Sequence, residues 1–345
     1  MSNNHLTYFK VENFKKFDAL EVKNIGQFNL IVGDNNVGKT CLLEALLVEV
    51  RIDDDFLSGL FYTTNLEYFL FALIERKLIN VNSLVNESKY IIDISSHFSK
   101  NHKEKIVLHL NDKKVLFSKE LDIIFLSKEL NAIKKNSELI ELSFGENFFL
   151  NINEKFNYPM VSFSNKELDV LSLYNRLSTK KEKESLLQTL KVIFPSVQNV
   201  EYKVEYKTIP NTFIFTFEDK DEFIPLNYLG DGFKRIFYVV LKALSLKGKR
   251  IMIDEIEIGI HHSRQKDFFI NLFKICKELD VQLFATTHSN ECIKAFVEAS
   301  TEVENEKEVR VIKLEESTDK TKIYSSTFYF ENIQAGFESN VDLRG

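Results

Sequence analysis

The sequence has little of what extracellular, membrane or metal-binding proteins are built from. It has only three cysteines, Cys41, Cys276 and Cys292, and it contains no Cys-x-x-Cys pair. This argues against a disulfide scaffold and a cysteine metal site. No apolar run approaches the ~20 residues that a bilayer-spanning helix needs, and the first residues lack the apolar core of a signal peptide. We therefore expect a cytoplasmic protein with free thiols and no membrane partner.

An excess of positive charge is also missing. The net charge is −6, which argues against a protein coated in basic residues but leaves room for a local basic face. The chain has no sustained heptads and no internal repeat, so a long coiled-coil arm is not expected. Of the 345 residues, 44% are hydrophobic and 28% are charged. This composition is typical of a globular protein with one large or two ordinary domains.

The order of apolar segments predicts an α/β fold. Residues 6–32 alternate as strands do, and the last of these segments, FNLIV, is a short apolar run typical of a buried strand. From Pro225 onward, helical and strand-like segments alternate, which predicts parallel strands with crossover helices. Residues 51–220 mix helical and alternating segments. Their pattern differs from that of both ends of the chain.

A phosphate-binding loop follows the FNLIV segment. The stretch GDNNVGKT fits G-x-x-x-x-G-K-[ST] at every position. Two glycines let the backbone turn its N–H groups inward around phosphate oxygens, and the following helix points its positive dipole end at the same place. The lysine would reach the β- and γ-phosphates, and the threonine hydroxyl would face Mg²⁺. A chance match in a glycine turn is the alternative, but the strand before the loop and the helix after it favour the nucleotide site.

In this interpretation the ATP-binding residues are Gly33, Asp34, Asn35, Asn36, Val37, Gly38, Lys39, Thr40 and Cys41.

Two acids and a histidine end later strands. Asp254 and Glu255 follow the apolar run Ile251–Ile253, and His288 ends the next strand-like segment. Ligands of open α/β sheets bind at the carboxyl ends of strands. Asp254 would therefore hold Mg²⁺, Glu255 would polarise the attacking water, and His288 would contact the γ-phosphate or that water. A surface acidic pair or a structural histidine is the alternative for each.

Together these motifs carry a resemblance. GDNNVGKT, YLGDGFKR, IDEIEIGIHHS and FATTHS occur in the order found in ATPases of the ATP-binding-cassette (ABC) type. The chain resembles their stand-alone, RecF- and SMC-like branch of AAA-family ATPases, related to the ATPase half of OLD proteins. The resemblance is close over about residues 1–50 and 220–300. It implies an ABC-type P-loop fold with a mixed or parallel core sheet and N-terminal antiparallel strands. The resemblance further implies one discontinuous ATPase domain at 1–50 and 221–345, with an inserted α+β subdomain at 51–220 for dimer or partner contacts.

The resemblance also implies a role for each motif. Gly33–Thr40 would be Walker A. Asp254 and Glu255 would be Walker B, with Glu255 as the catalytic glutamate, and His288 the switch histidine. The segment Leu229, Gly230, Asp231 and Gly232 would be the signature loop, which in this family contacts ATP held by the opposite subunit. Two molecules would then form a head-to-tail homodimer, or part of a higher oligomer, around two ATP molecules and their Mg²⁺.

The signature loop departs from the family pattern at one position. The family usually reads Leu-Ser-Gly-Gly or Leu-Ser-Asp-Gly, and Gly230 stands here in place of the serine. The hydroxyl donor is lost, although backbone N–H groups at the helix start remain. Asp231 is expected to cap the helix that follows.

Several functions remain open at this point. The first is an ATP-hydrolysing dimeric switch, expected from family analogy to accompany a separate effector nuclease in anti-phage defence. The 57 residues beyond His288 are too few for the Toprim nuclease of OLD proteins. The second is a RecF- or SMC-like repair factor that binds DNA through the lysines of the middle region. The third is a scaffold that holds ATP without hydrolysing it.

Those lysines stand at positions 100, 103, 105, 113 and 114, where a solvated surface is the alternative to a DNA-binding face.

Overall fold

The computed structural model describes most of the two ends of the chain and parts of its middle. The described residues are 5–46, 91–98, 103–111, 114–119, 139–143, 160–161, 170–207 and 209–339. The sequence of residues 51–78 reads as helical or mixed and that of residues 121–126 as a strand, and both segments lie outside the described residues. The side chains of the five middle lysines also lie outside the described part, so the DNA-binding hypothesis stays a prediction.

The centre of the fold is a six-stranded sheet. Its strands are β3 (Phe28–Gly33), β8 (Met160–Val161), β12 (Arg250–Ile253), β13 (Gln282–Thr286), β14 (Val309–Glu316) and β15 (Ile323–Tyr329), in the order β15-β14-β3-β13-β12-β8. All neighbours are parallel except β14 and β15. β3, β12 and β13 are buried throughout, which explains their nearly continuous apolar sequences.

A second sheet is antiparallel and begins at the N-terminus. It contains β1 (Leu6–Phe14), β2 (Phe17–Lys23), β4 (Ile91–Phe98), β5 (Lys103–Asn111), β6 (Lys114–Lys119) and β7 (Leu139–Ser143), ordered β2-β1-β4-β5-β6-β7. The hydroxyl groups of Ser325 and Thr327 on β15 donate to backbone carbonyls of β2 and so join the two sheets. Strands from the middle region thus pair with β1, and β8 joins the core sheet. The division at residues 50 and 221 stays a prediction.

A small third sheet and seven helices complete the described part. The sheet has β9 (Val197–Tyr206), β10 (Ile209–Phe217) and β11 (Ile224–Pro225), in the order β11-β10-β9. The helices are α1 (Lys39–Ala45), α2 (Val170–Asn175), α3 (Lys180–Ile193), α4 (Asp231–Ser245), α5 (His262–Glu278), α6 (Asn290–Glu302) and α7 (Phe330–Glu338). No helix within these described ranges is long and apolar enough to cross a membrane.

The abundant phenylalanines fill the core between the helices and sheets. Phe273 of α5 stacks on Phe28 of β3 with ring centroids 4.3 Å apart. Phe213 and Phe215 of β10 meet Phe237 of α4 edge-on, a geometry that adds to the burial energy of aromatic rings. The α/β class, the mixed core sheet and the N-terminal antiparallel strands are confirmed. The core therefore holds α4 and α5 rigidly beside the sheet edge where the acids lie.

A buried glutamine links the two large sheets. The side chain of Gln282 accepts from the N–H of Leu6 at 2.9 Å and donates to the carbonyls of Leu6 and Gly26 at 2.8 and 2.7 Å. Gln282 has no exposed surface. Its loss would leave buried backbone groups unpaired, and each such group costs free energy.

We expect Gln282→Ala to lower the free energy of unfolding by about 3 kcal/mol, because three hydrogen bonds to buried partners are lost. Urea unfolding followed by circular dichroism measures the change. Gln198→Ala is the matched control, since Gln198 is exposed on β9 and its loss should change stability by less than about 0.5 kcal/mol. Equal stability of the two variants would contradict the assigned role of Gln282.

Candidate functional site

The phosphate loop connects β3 to α1 through a backbone that only glycine accommodates. Gly33 and Gly38 have φ values of 139° and 108°, in the region that favours glycine. A Cβ on Gly33 would lie 2.4 Å from the carbonyl oxygen of Leu314, and a Cβ on Gly38 would lie 2.9 Å from the Phe17 ring. The glycines therefore serve the turn and also the close approach of β14 and β2.

Lys39 is the first residue of α1, and its side chain is buried in the loop. Its ammonium donates to the carbonyls of Gly33 at 2.6 Å and Asp34 at 2.8 Å, and only 5% of the residue is exposed. Burial lowers the pKa of Lys39, while the carboxylates of Asp254, Asp34, Glu255 and Glu257 oppose that shift. The lysine is thus held inside the loop by groups that a phosphate oxygen could replace as acceptors.

The β1–β2 turn fastens onto the phosphate loop from outside. Lys16 donates to the backbone carbonyl of Asn36, and Lys15 pairs with Glu44 of α1 at 2.5 Å. Asn36 has a left-handed φ of 64°, and Asp34, Asn35 and Asn36 are exposed while Val37 is buried. Cys41 is half-buried, and burial raises the pKa of its thiol, so the residue acts as packing.

The carboxylate of Asp254 joins three segments. Asp254 follows β12, and its oxygens accept from the hydroxyl of Thr40 at 3.0 and 3.2 Å and from the hydroxyl of Thr286 at 2.6 Å. β13 lies between β3 and β12 in the parallel sheet. Since the carboxyl ends of parallel strands meet at one edge, Thr40 and Asp254 are brought together across that strand. The structure therefore unites these two residues, as the sequence predicts.

This donor set fits a magnesium ion. A hydroxyl and a carboxylate in mutual contact are oxygen ligands, which Mg²⁺ prefers, and Mg²⁺ usually takes one or two carboxylates plus phosphate oxygens. Thr40 and Asp254 would hold the ion, in line with the sequence prediction.

Glu255 is held in a strained backbone conformation. Its φ of 51° is left-handed, which costs about 1–2 kcal/mol for a residue other than glycine. The backbone N–H of Glu255 donates to the Thr286 hydroxyl at 2.7 Å. The guanidinium of Arg235, on α4, donates to the carbonyls of Asp254 and Glu255, the latter at 3.0 Å. These bonds fix the backbone that carries the two acids.

His288 lies two residues beyond β13, at the same edge. Its backbone N–H donates to Oε1 of Glu257 at 3.0 Å. The imidazole is exposed, and within the described part of the chain it has no hydrogen-bond partner. The structure thus places His288 on the predicted edge with an exposed side chain, and its role stays a prediction.

The proposed signature loop, Leu229–Gly232, spans the start of α4, with Gly230 and Asp231 exposed and Leu229 and Gly232 half-buried. Gly230 is the N-cap of α4, with an extended backbone and no side-chain hydrogen bond to the helix. The expectation that Asp231 caps the helix is wrong: Asp231 is already the first helical residue, and its carboxylate lies 3.3 Å from the ammonium of Lys234. Within the described residues the segment Leu229–Gly232 makes no hydrogen bond to the phosphate loop.

Two glycines bring the signature helix against the segment after Glu255. A Cβ on Gly259 would lie 2.7 Å from the Cα of Gly232, and Gly259 has a φ of 85°. With the Arg235 bonds, this contact joins the start of α4 to the acidic segment.

Three residues of the site were missed by sequence reasoning: Thr286, Arg235 and Glu257. Thr286 and Glu257 stand inside the motifs already noted, FATTHS and IDEIEIG, so a polar residue within each apolar segment was the available signal. Arg235 lies one turn after Gly232 in α4. Its role depends on a backbone contact that no sequence pattern reveals.

The phosphate loop, the acids after β12 and the helix after the glycine loop, set on this mixed sheet, define an SMC- and RecF-like ABC-type ATPase. Residues 28–293 match the family model described as "AAA domain, putative AbiEii toxin, Type IV TA system". Since the match covers more than half of the chain, the protein belongs to this AAA-domain family.

Individual relatives are more distant. The chain is similar to a Helicobacter pylori protein named ATP/GTP phosphatase, with 23% identity over 384 residues that cover 97% of this chain and 99% of that protein. It is also similar to the uncharacterized protein MJECL11 of Methanocaldococcus jannaschii, with 33% identity over 118 residues that cover 34% of this chain and 100% of that protein.

Solved structures show the same fold. An SMC head bound to the C-terminal winged-helix domain of ScpA has a TM-score of 0.60 at 8% identity, covering 95% of this chain and 99% of that one. An SMC head with an extended coiled coil, bound to the C-terminal domain of ScpA derived from Pyrococcus furiosus, has a TM-score of 0.56 at 9% identity, covering 97% and 99%.

We expect Gly259→Ala to lower the free energy of unfolding by about 3 kcal/mol, because the methyl group combines left-handed strain with a clash against Gly232. Gly248→Ala is the control, since Gly248 has a φ of 67° but nothing within 4 Å of its Cβ, so strain alone should cost about 1 kcal/mol. Urea unfolding of both variants separates the two effects. Equal losses would contradict a tight contact between Gly232 and Gly259.

Proposed function

We propose that this protein binds ATP with Mg²⁺ and hydrolyses it, acting as a head-to-tail dimeric switch in the cytoplasm. The observation that carries the proposal is the direct contact between Thr40 of the phosphate loop and Asp254. This contact joins the phosphate loop to the acidic end of β12 at one sheet edge, which supports a nucleotide site there. The name of the Helicobacter pylori relative, ATP/GTP phosphatase, supports the same chemistry.

Each residue of the site has a defined part in this reaction. Lys39 would move its hydrogen bonds from the carbonyls of Gly33 and Asp34 to the β- and γ-phosphates. Bound Mg²⁺ would neutralise charge on the phosphate oxygens. The Glu255 carboxylate would accept a proton from the attacking water, and the His288 imidazole would donate to the γ-phosphate. The Arg235 guanidinium donates to the carbonyl of Glu255, and the N–H of Glu255 donates to the Thr286 hydroxyl. These bonds would keep Glu255 in place during the reaction.

The dimer is supported by the position of the signature loop. Gly230 and Asp231 are exposed, at the start of a helix whose free N–H groups favour an anion. A second copy could present its bound ATP to this loop, and the Arg235 and Gly232–Gly259 contacts would then carry the arrival of that copy to Glu255. Hydrolysis would in this way depend on association.

The biological setting of the switch is a further part of the proposal. The family description names a toxin of a type IV TA system, which fits an ATPase that works beside a separate effector nuclease in defence against phage. A DNA-binding repair factor and a scaffold that holds ATP without hydrolysis are the alternatives. Phosphate release separates the scaffold from the other two.

We expect Lys39→Ala to abolish ATP binding and Glu255→Gln to retain ATP but lose at least 100-fold in turnover, because the water loses its base. Phosphate release, with and without Mg²⁺, measures turnover. Size-exclusion chromatography with ATP should show Glu255→Gln as a trapped dimer.

Glu304→Gln is the matched control, since Glu304 is exposed and has the same φ of 51° as Glu255. It should leave turnover unchanged. A wild-type protein that releases no phosphate, or a Glu255→Gln variant that stays monomeric with ATP, would count against the proposal.

We expect Gly230→Ser to raise both turnover and stability. The backbone of Gly230 is extended, and nothing lies within 4 Å of its Cβ position, so serine fits without strain. Its hydroxyl would cap α4, adding a few tenths of a kcal/mol, and would offer the missing donor to the partner's γ-phosphate. Phosphate release and thermal unfolding measure the two effects. Gly248→Ser is the control for turnover, which it should leave unchanged, while its left-handed backbone should make it less stable. Unchanged turnover would show that Gly230 does not limit hydrolysis.

A further inference from the structure

The carboxylate of Glu257 has one oxygen in use and one unpaired. Oε1 accepts the backbone N–H of His288 at 3.0 Å. Oε2 is buried and has no hydrogen-bond partner within the described part of the chain. A buried carboxylate oxygen without a donor is costly to maintain. Because this unpaired oxygen lies near the proposed nucleotide site, we infer that a hydrogen-bond donor reaches it in another state of the protein.

The surroundings of Glu257 belong to the nucleotide site. Burial lowers the pKa of Lys39 and of Arg235, and the charge of Glu257 is one of the nearby carboxylates that oppose both shifts. Glu257 also acts with burial to raise the pKa of the Cys292 thiol at the start of α6. Its carboxylate therefore bonds to the segment that carries His288 and interacts electrostatically with Lys39 and Arg235.

His288 carries a donor on a residue that already contacts this carboxylate. Its backbone N–H bonds to Oε1, so rotation of the side chain could direct a ring N–H toward Oε2. The ring is exposed and has no competing partner within the described residues. A carboxylate that accepts one ring N–H fixes the tautomer and the direction of the other nitrogen.

We propose that Glu257 is a positioning residue for His288. Oε1 holds the backbone of the loop, and Oε2 accepts the imidazole N–H when nucleotide is bound, so that the opposite ring nitrogen faces the γ-phosphate. The inference rests on the proposed ATP hydrolysis and adds to it the residue that orients its histidine.

A double-mutant cycle tests this assignment. The variants are Glu257→Gln, His288→Ala and the two combined. Glutamine keeps an acceptor for the His288 N–H but replaces one carboxylate oxygen with an amide donor. We expect Glu257→Gln to lower kcat by about 10-fold to 100-fold, with ATP affinity from calorimetry unchanged within about twofold. In the His288→Ala background the same change should have no further effect, because the oriented ring is gone.

Several outcomes would overturn the proposal. An unchanged kcat in Glu257→Gln would do so. An equal loss of kcat with and without the His288 ring would also do so, because the donor to Oε2 would then be a water or Lys39. Glu316→Gln, an exposed acid at the end of β14, should match the wild type. If Glu257→Gln does not fold, Glu257→Asp takes its place in the same cycle. It keeps the charge, but its shorter side chain does not reach the ring, so we again expect a loss of kcat that depends on His288.

The two proposals fail in different ways. A wild-type protein without ATP turnover overturns the proposed function and, with it, the role of Glu257. A wild type that hydrolyses ATP, together with a Glu257 effect that does not depend on His288, overturns the role of Glu257 alone.

Discussion

The bonds made by the Asp254 carboxylate are the interaction on which the site depends. Thr40 and Thr286, which donate to it, belong to the phosphate loop and to β13, far apart in the chain. Removal of this carboxylate would leave two hydroxyls without their acceptor and would separate the loop from Walker B. The geometry of the parallel sheet makes these bonds available, because β3, β13 and β12 end at one edge.

The same edge is stiffened by contacts that carry no chemistry of their own. Gly33 allows β14 to approach closely, and the Gly232–Gly259 contact brings the signature helix against the segment after the acids. Arg235 then bonds the backbone of Asp254 and Glu255. A left-handed Glu255 persists because these neighbours hold it. The start of α4 and the segment from Asp254 to Gly259 are therefore in direct contact at two places.

Cationic and anionic side chains lie close together at this edge of the core sheet. Lys39 and Arg235 are both desolvated, and burial lowers the pKa of each, while Asp254, Glu255 and Glu257 oppose the change. The acids repel one another, and the two nearby cations offset part of that repulsion. The loop carbonyls around Lys39 are the groups that a bound phosphate would replace.

The sequence by itself determined the parts that rest on local pattern. The phosphate loop, the strand that ends in Asp254 and the alternation of helices and strands each follow from residue type and spacing within a short window. The roles of Arg235 and Thr286, the unpaired oxygen of Glu257 and the N-cap at Gly230 were decided only by the tertiary structure. Each depends on a contact between segments distant in the chain, or on one dihedral angle, and neither leaves a periodic signal in the sequence.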